Sequence, residues 1–264
     1  MPIFTEELQM KNLLKRKLHT GKHSIGTWIC IGHPDVTEML ARAGFDWLLL
    51  DMEHAPLSVE TMHHLIQAMG GGPAAALVRV ASKDPVLIGQ ALDAGADGVM
   101  IPLVNTAEDA RNAVAACYYP PQGTRGVGPR RAADYGRRFV PYMKTANHQV
   151  VVVVQIETPE TVRNIDEILS VPGIHVAAIG PGDLSMTMGC FHRREDPDFQ
   201  RALNRVRDAC RRHGVVPGMA YVSKSEQARK FIKRGFPFVG LGTDDEFLCG
   251  GAATALAGLK AKRS

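Results

Sequence analysis

Residues 47–54 read WLLLDMEH, four apolar residues running into a stretch that carries Asp51, Glu53 and His54. An apolar run of this length, bounded by Gly44 and Pro56, predicts a strand buried on both faces. The polar groups then fall at its C-terminal end, where parallel α/β folds place their chemistry. A polar strand end followed by a helix cap would read the same way, so the rest of the chain has to decide.

Working outward, the pattern repeats. Residues 24–30 read as a strand and 34–43 as a helix, with Pro34 in its first turn and Gly44 past its end. Beyond the central stretch, strands are predicted at 75–81, 98–104, 150–157, 176–179, 215–220 and 238–242. Helices are predicted at 58–69, 85–94, 106–118, 159–170, 198–213, 224–234 and 245–259, several opened by Ser, Thr or Asp. An amphipathic helix over 4–19, with Leu8, Leu13, Leu14 and Leu18 on one side, precedes them. Eight strands alternating with eight helices over 264 residues predict an α/β fold, a single (β/α)8 TIM barrel spanning 1–264. A doubly wound sheet would not need eight regular units. The one long irregular stretch, 119–148, is rich in Gly, Pro and Arg. It is expected on the face opposite the βα loops, as an assembly element or a solvated basic loop.

Composition narrows the function classes. The chain is 45% hydrophobic and 22% charged, an ordinary globular balance. A net charge of +4 gives no reason to expect nucleic acid. Five cysteines without a CxxC pair predict reduced thiols and a cytoplasmic protein. No apolar run approaches the roughly 18 residues of a membrane span, and the first 21 residues do not read as a signal peptide.

Barrel logic directs attention to strand ends. Glu157 and Asp183 stand at the ends of neighbouring strands, and two carboxylates with waters suit a hard divalent cation; helix caps are the competing reading. The turn Gly180–Pro181–Gly182–Asp183 lets the backbone approach a ligand and offers N–H groups to an anion. Arg79 in a strand requires a partner, either an anionic substrate or a structural carboxylate. His54 fits a base, a ligand or a core residue; as a base it needs an orienting carboxylate, for which Asp93 is a candidate beside the reading of an exposed acid. No lysine ends a predicted strand, which argues against an imine mechanism.

The ordered set GKHSIGTWICIGHPDVTEMLARAGFDWLLLDMEHAP, LVRV, LDAGADGVMIPLV, YPPQGTRGVG, VVVVQIET and IGPGDLS resembles the HpcH/HpaI aldolases, class II pyruvate aldolases whose prototype acts on 4-hydroxy-2-oxoheptanedioate. The resemblance implies that Glu157 and Asp183 hold Mg²⁺ or Mn²⁺, with Co²⁺ a third candidate. It implies that Gln155 and the backbone of Gly182 and Asp183 grip pyruvate. It makes His54 the base, Asp93 the group that raises its basicity, and Arg79 the stabiliser of the developing oxyanion. The product partners would be pyruvate and an aldehyde. The resemblance also implies a homohexamer, a trimer of dimers with the last helix packed on a neighbour. Segments 190–196 (CFHRRED) and 244–251 (DDEFLCGG) depart from the family, which bears on the aldehyde more than on the core chemistry. The alternatives are a citrate-lyase β-like enzyme cleaving a CoA thioester and a non-catalytic metabolite-binding barrel.

Overall fold

A computed structural model describes residues 12–70, 72–191 and 193–260. Eight parallel strands close in sequence order: β1 (Ser24–Ile29), β2 (Trp47–Asp51), β3 (Ala75–Arg79), β4 (Gly98–Ile101), β5 (Val151–Ile156), β6 (Val176–Ile179), β7 (Val216–Val222) and β8 (Phe238–Thr243). Helices α1 (Leu13–His19), α2 (Pro34–Ala41), α3 (Val59–Ala68), α4 (Pro85–Asp93) and α5 (Ala107–Cys117) accompany the first half. The second half carries α6 (Phe139–Gln149), α7 (Pro159–Arg163), α8 (Ile165–Leu169), α9 (Pro181–Thr187), α10 (Pro197–His213), α11 (Ser225–Lys233) and α12 (Asp244–Lys260).

Side-chain alternation sorts the apolar residues into two cores. Leu48, Leu50, Ala76, Val78, Val152 and Val154 point outward and pack under the helices. Trp47, Leu49, Ala75, Leu77, Met100, Val151, Val153 and Phe238 point inward and fill the barrel. Trp47 stacks on Phe238 with centroids 4.4 Å apart, and lies where a side chain on Gly26 would stand. Because both faces are apolar, the strands lack the polar alternation of a half-solvated sheet. Leu14 and Leu18 of α1 close the floor of the interior core. Asn12 fixes that plug by donating to the carbonyls of Asp97 and Gln149 while accepting the N–H of Lys15.

Three expectations change in detail. The stretch 119–148 is not irregular throughout: a 3-10 segment, Arg131–Gly136, leads into α6. The helix expected over 159–170 is two short helices meeting at Asn164, and the turn after β6 starts a helix of its own, α9. The first part of the helix expected over 4–19, with Leu8, lies outside the described residues; Leu13–His19 is helical.

Candidate active site

On three strands the inward-pointing series turns polar at its last member. On β2 it runs Trp47, Leu49, Asp51; on β3, Ala75, Leu77, Arg79; on β5, Val151, Val153, Gln155. Asp51 and Arg79 are register partners on adjacent strands. Their side chains therefore meet within the mouth as a bidentate pair, Nε to Oδ1 at 2.9 Å and Nη2 to Oδ2 at 2.8 Å. Arg79 also lies 4.3 Å from the ring centre of Trp28. The same Asp51 oxygen accepts the N–H groups of Glu53 and His54, which fixes the turn leaving β2. The Arg79 guanidinium holds the Asp51 carboxyl below the usual carboxylate range against the opposing effect of burial. Of the two readings of Arg79, the structural ion pair is thus present, and it holds the cation at the catalytic end of the barrel.

Around this pair the mouth is short of positive charge. Glu53 Oε2 lies 3.1 Å from Arg79 Nη1 as an ion pair, yet no donor is aligned on that oxygen. Burial raises the Glu53 carboxyl despite the pull of Arg79, and Glu157 adds to the rise. Glu157 is 4% exposed; one oxygen accepts the Leu103 N–H at 2.6 Å and the other the Gln155 amide. Burial and the nearby charge of Asp183 raise its carboxyl as well. Gln155, itself buried, leaves Oε1 without a partner among the described residues. Leu103 delivers its N–H from a left-handed backbone, φ +54°, a conformation that costs an L-residue on the order of 1–3 kcal/mol. Three carboxyl groups, from Asp51, Glu53 and Glu157, thus interact with one guanidinium, and Asp183 lies close enough to Glu157 to act on its charge.

Asp183 stands exposed in the first turn of α9, and Gly182 beside it has open space where a side chain would be. His54 is exposed just past β2, and its ring makes no hydrogen bond among the described residues. Asp93 does not join it. Asp93 ends α4, which runs back along the barrel, so it sits on the opposite rim, 2.5 Å from Nη2 of the buried Arg125. The loop residue Arg125 in turn stacks on Tyr119 at 4.5 Å. Within one protomer the expected His54–Asp93 pair is not formed, because α4 and β2 end on different faces.

The chain matches the HpcH/HpaI aldolase/citrate lyase family over residues 24–249. It is 41% identical over 256 residues to a 4-hydroxy-2-oxo-heptane-1,7-dioate aldolase of Salmonella dublin, covering 97% of each chain. The protein belongs to the HpcH/HpaI family. A family member from Burkholderia cenocepacia J2315 superimposes with a TM-score of 0.90 at 34% identity, over 95% of this chain and 100% of the other. A citrate lyase β subunit from M. tuberculosis, at 16% identity and a TM-score of 0.57 over 87% and 95% of the two chains, shares the fold alone. Membership places the chain among carbon–carbon lyases, and the citrate lyase structures it resembles are distant.

For an HpcH/HpaI protein the mouth passes a chemical test for a divalent cation. Its donors are all oxygens, from Glu157, Asp183 and the orphaned Gln155 Oε1, which suits a hard ion. A second acidic group, Cys30 with Asp244 and Asp245, is a poorer fit. Asp244 already accepts the N–H groups of Cys30 and Ile31 at 2.9 Å each and so ties β1 to the start of α12. Sequence reasoning passed over Leu103 and Trp28 as site residues and left Asp51 and Glu53 without roles; for the last two, the inward alternation through Trp47, Leu49 and Asp51 was the available signal.

Proposed function

We propose that this chain is a divalent-metal-dependent class II aldolase that reversibly cleaves a 4-hydroxy-2-oxo acid to pyruvate and an aldehyde. Substrates of the 4-hydroxy-2-oxoheptanedioate or 2-keto-3-deoxy sugar acid type fit this reading. The observation that carries it is the buried Glu157 beside the unpartnered Gln155 Oε1, at the same mouth as a rigidly held Arg79. Glu157 and Asp183 would hold Mg²⁺ or Mn²⁺; when bound, the ion supplies Lewis-acid stabilisation of charge on the keto oxygen. Gln155 and the backbone N–H groups of Gly182 and Asp183 bind the 2-oxo acid. In cleavage His54 accepts the C4 hydroxyl proton, directly or through a water, and the C3–C4 bond breaks to release the aldehyde. The electron pair of that bond becomes the pyruvate enolate, whose oxygen Arg79 stabilises, and C3 is then protonated. Asp51 fixes Arg79 beforehand, so the electrostatic help requires no reorganisation during the step.

The assembly reading is a homohexamer built as a trimer of dimers. It is supported by α12, whose Phe247, Leu248, Leu256 and Leu259 are exposed on the single chain. Any contact of Asp93 with His54 belongs to such an assembly, because the two residues occupy opposite rims of one barrel. A reducing, cytoplasmic setting agrees with five free cysteines. No described helix is long and apolar enough to cross a membrane.

The deciding experiment is exchange of the pyruvate C3 protons into D₂O, followed by NMR with Mg²⁺ or Mn²⁺ and then with chelator. Exchange that stops with chelator and resumes with metal supports the reading, and release of pyruvate from 4-hydroxy-2-oxoheptanedioate then tests the substrate. Pyruvate binding without exchange under any metal would overturn it in favour of a metabolite-binding barrel.

A further inference from the structure

Leu103 holds its left-handed backbone, φ +54°, in the turn between β4 and α5. Its side chain is 48% exposed and joins neither apolar core, so packing does not offset the strain. What the conformation secures is a hydrogen bond: the Leu103 N–H donates to Glu157 Oε1 at 2.6 Å. The other Glu157 oxygen accepts the Gln155 amide. One donor on each oxygen fixes the rotation of this carboxylate in advance of any ligand.

The turn is latched from two sides. Asn105 Oδ1 accepts the hydroxyls of Thr158 at 2.8 Å and Thr161 at 2.6 Å, and the Asn105 carbonyl accepts the Asn164 amide at 2.9 Å. Thr158 directly follows Glu157 and caps α7 by accepting the Thr161 N–H. Asn105 therefore ties the turn to the segment that leaves Glu157. On the other side Asp109, in the first turn of α5, accepts the N–H groups of Asn105 at 3.0 Å and Thr106 at 3.2 Å and pairs with Lys83. Lys83 Nζ also reaches the Leu103 carbonyl at 3.4 Å. The capping box of Thr106 and Asp109 accounts for the start of α5 and requires no left-handed residue upstream of it. Nor does it require the Asn105 bonds to Thr158 and Thr161, which join a different helix.

We propose that Asn105 and Leu103 are positioning residues for metal binding: Asn105 pins the β4–α5 turn to Thr158 and Thr161, the pinned turn keeps Leu103 left-handed, and the Leu103 N–H orients Glu157 toward the cation. This rests on the reading of Glu157 and Asp183 as the metal ligands. Both residues act through the carboxylate and not on the ion. Loss of such support ordinarily costs about 10–100-fold in metal affinity. It follows that tolerance of a positive φ, more than size or polarity, decides which residues serve at position 103. Glycine adopts that conformation freely, whereas a β-branched valine resists it.

Mn²⁺ binding to the full chain, followed by the EPR signal of the free ion, tests this without turnover. E157Q marks the site, since it should lose the saturable binding that wild type shows. N105A should bind Mn²⁺ about tenfold more weakly. N105A/L103G should return to within about twofold of wild type, because glycine holds the left-handed turn without the latch. N105A/L103A should not recover, since alanine shares the penalty of leucine. At position 103 alone, L103V should lose about tenfold and L103G should stay within about twofold. That pair carries the test should N105A fail to fold, which thermal melting detects. Affinity unchanged in N105A or L103V, or equal recovery with glycine and alanine, would overturn the positioning roles and leave Glu157 as a ligand. Wild type without saturable binding, or E157Q binding as wild type does, would overturn the metal reading itself and this inference with it.

Discussion

Asp51→Ala should destabilise the barrel far more than a mutation at a strand end ordinarily would. Both side chains of the Asp51–Arg79 pair are nearly excluded from water, at 4% and 7% exposure, so solvent screening gives little relief. Removing one partner of a buried pair costs about 3–5 kcal/mol, because the remaining charge is left desolvated. Glu53 does not rescue Arg79, since its nearest oxygen is not aligned as an acceptor. For a chain of this size the loss corresponds to about 6–20 °C in melting temperature, at about 2–4 °C per kcal/mol. The cause can be separated from simple truncation with the double variant D51A/R79M, in which no unpaired guanidinium remains and most of the loss should return. pH supplies a second check. Arg79 lowers the Asp51 pKa, so the pair's contribution is present above the unfolded value near 4 and is lost as pH falls through the folded one. The difference between wild type and D51A should therefore shrink below about pH 4. Denaturant unfolding and calorimetry at matched pH read all three quantities. A D51A deficit under about 1 kcal/mol, or a double variant as unstable as the two single losses summed, would refute the reasoning.

Other outcomes follow from the same geometry. Glu157 has a raised carboxyl, so in metal-free protein its contribution is favourable below the unfolded value near 4.3 and is lost as pH rises through the folded one. E157Q should accordingly melt higher than metal-free wild type at pH 7, converge with it near pH 4, and gain nothing from added Mg²⁺; a lower melting point at pH 7 would count against the assigned strain. H54A should lower turnover by about 10²–10⁴ with stability within about 0.5 kcal/mol, since its exposed ring holds no structural bond; a large drop in melting temperature would contradict that. Placing aspartates at Leu248 and Leu256 should bring the sedimenting species down to the 28.7 kDa chain, and an unchanged assembly would remove α12 as the contact. D93N mixed with H54A should regain exchange activity if Asp93 acts across subunits, whereas a fully active D93N alone would leave Asp93 only as the partner of Arg125.

The architecture was legible because its cause is local and repeated. A run such as VVVVQI can satisfy its backbone only as a strand apolar on both sides, and caps at Ser58, Asp84 and Thr106 mark where helices begin. Glu157, Gln155, Asp183, Arg79 and His54 could be placed at the C-terminal rim of the barrel because strand ends are visible in the sequence. What stayed hidden depends on contacts distant along the chain. The opening of α6, FVPYM, contains Pro141 and follows a Gly- and Arg-rich loop, so it read as irregular, although proline is tolerated in a first turn. Asp93 finds Arg125 only after the β4–β5 connection folds back under the barrel, and no spacing in the sequence announces that pair. The left-handed Leu103 is likewise invisible, because leucine does not advertise a positive φ.

The two rims differ in how their carboxylates are partnered. On the rim holding α1, Asp46 pairs with Lys17 and the Ile25 N–H, Asp93 pairs with Arg125, and Asp97 accepts the Ala76 N–H although burial raises its carboxyl. These groups close the gaps between elements, as a stability function demands. The other rim leaves its carboxylates in conflict. Burial raises both Glu53 and Glu157, with Glu157 adding to the rise at Glu53 and Asp183 to that at Glu157; an acceptor on Gln155 is orphaned, and a strained leucine supports Glu157. Folding alone would remove such features, since each costs stability and none improves packing. On the proposed reading, a cation held by Glu157 and Asp183 would offset the repulsion between them.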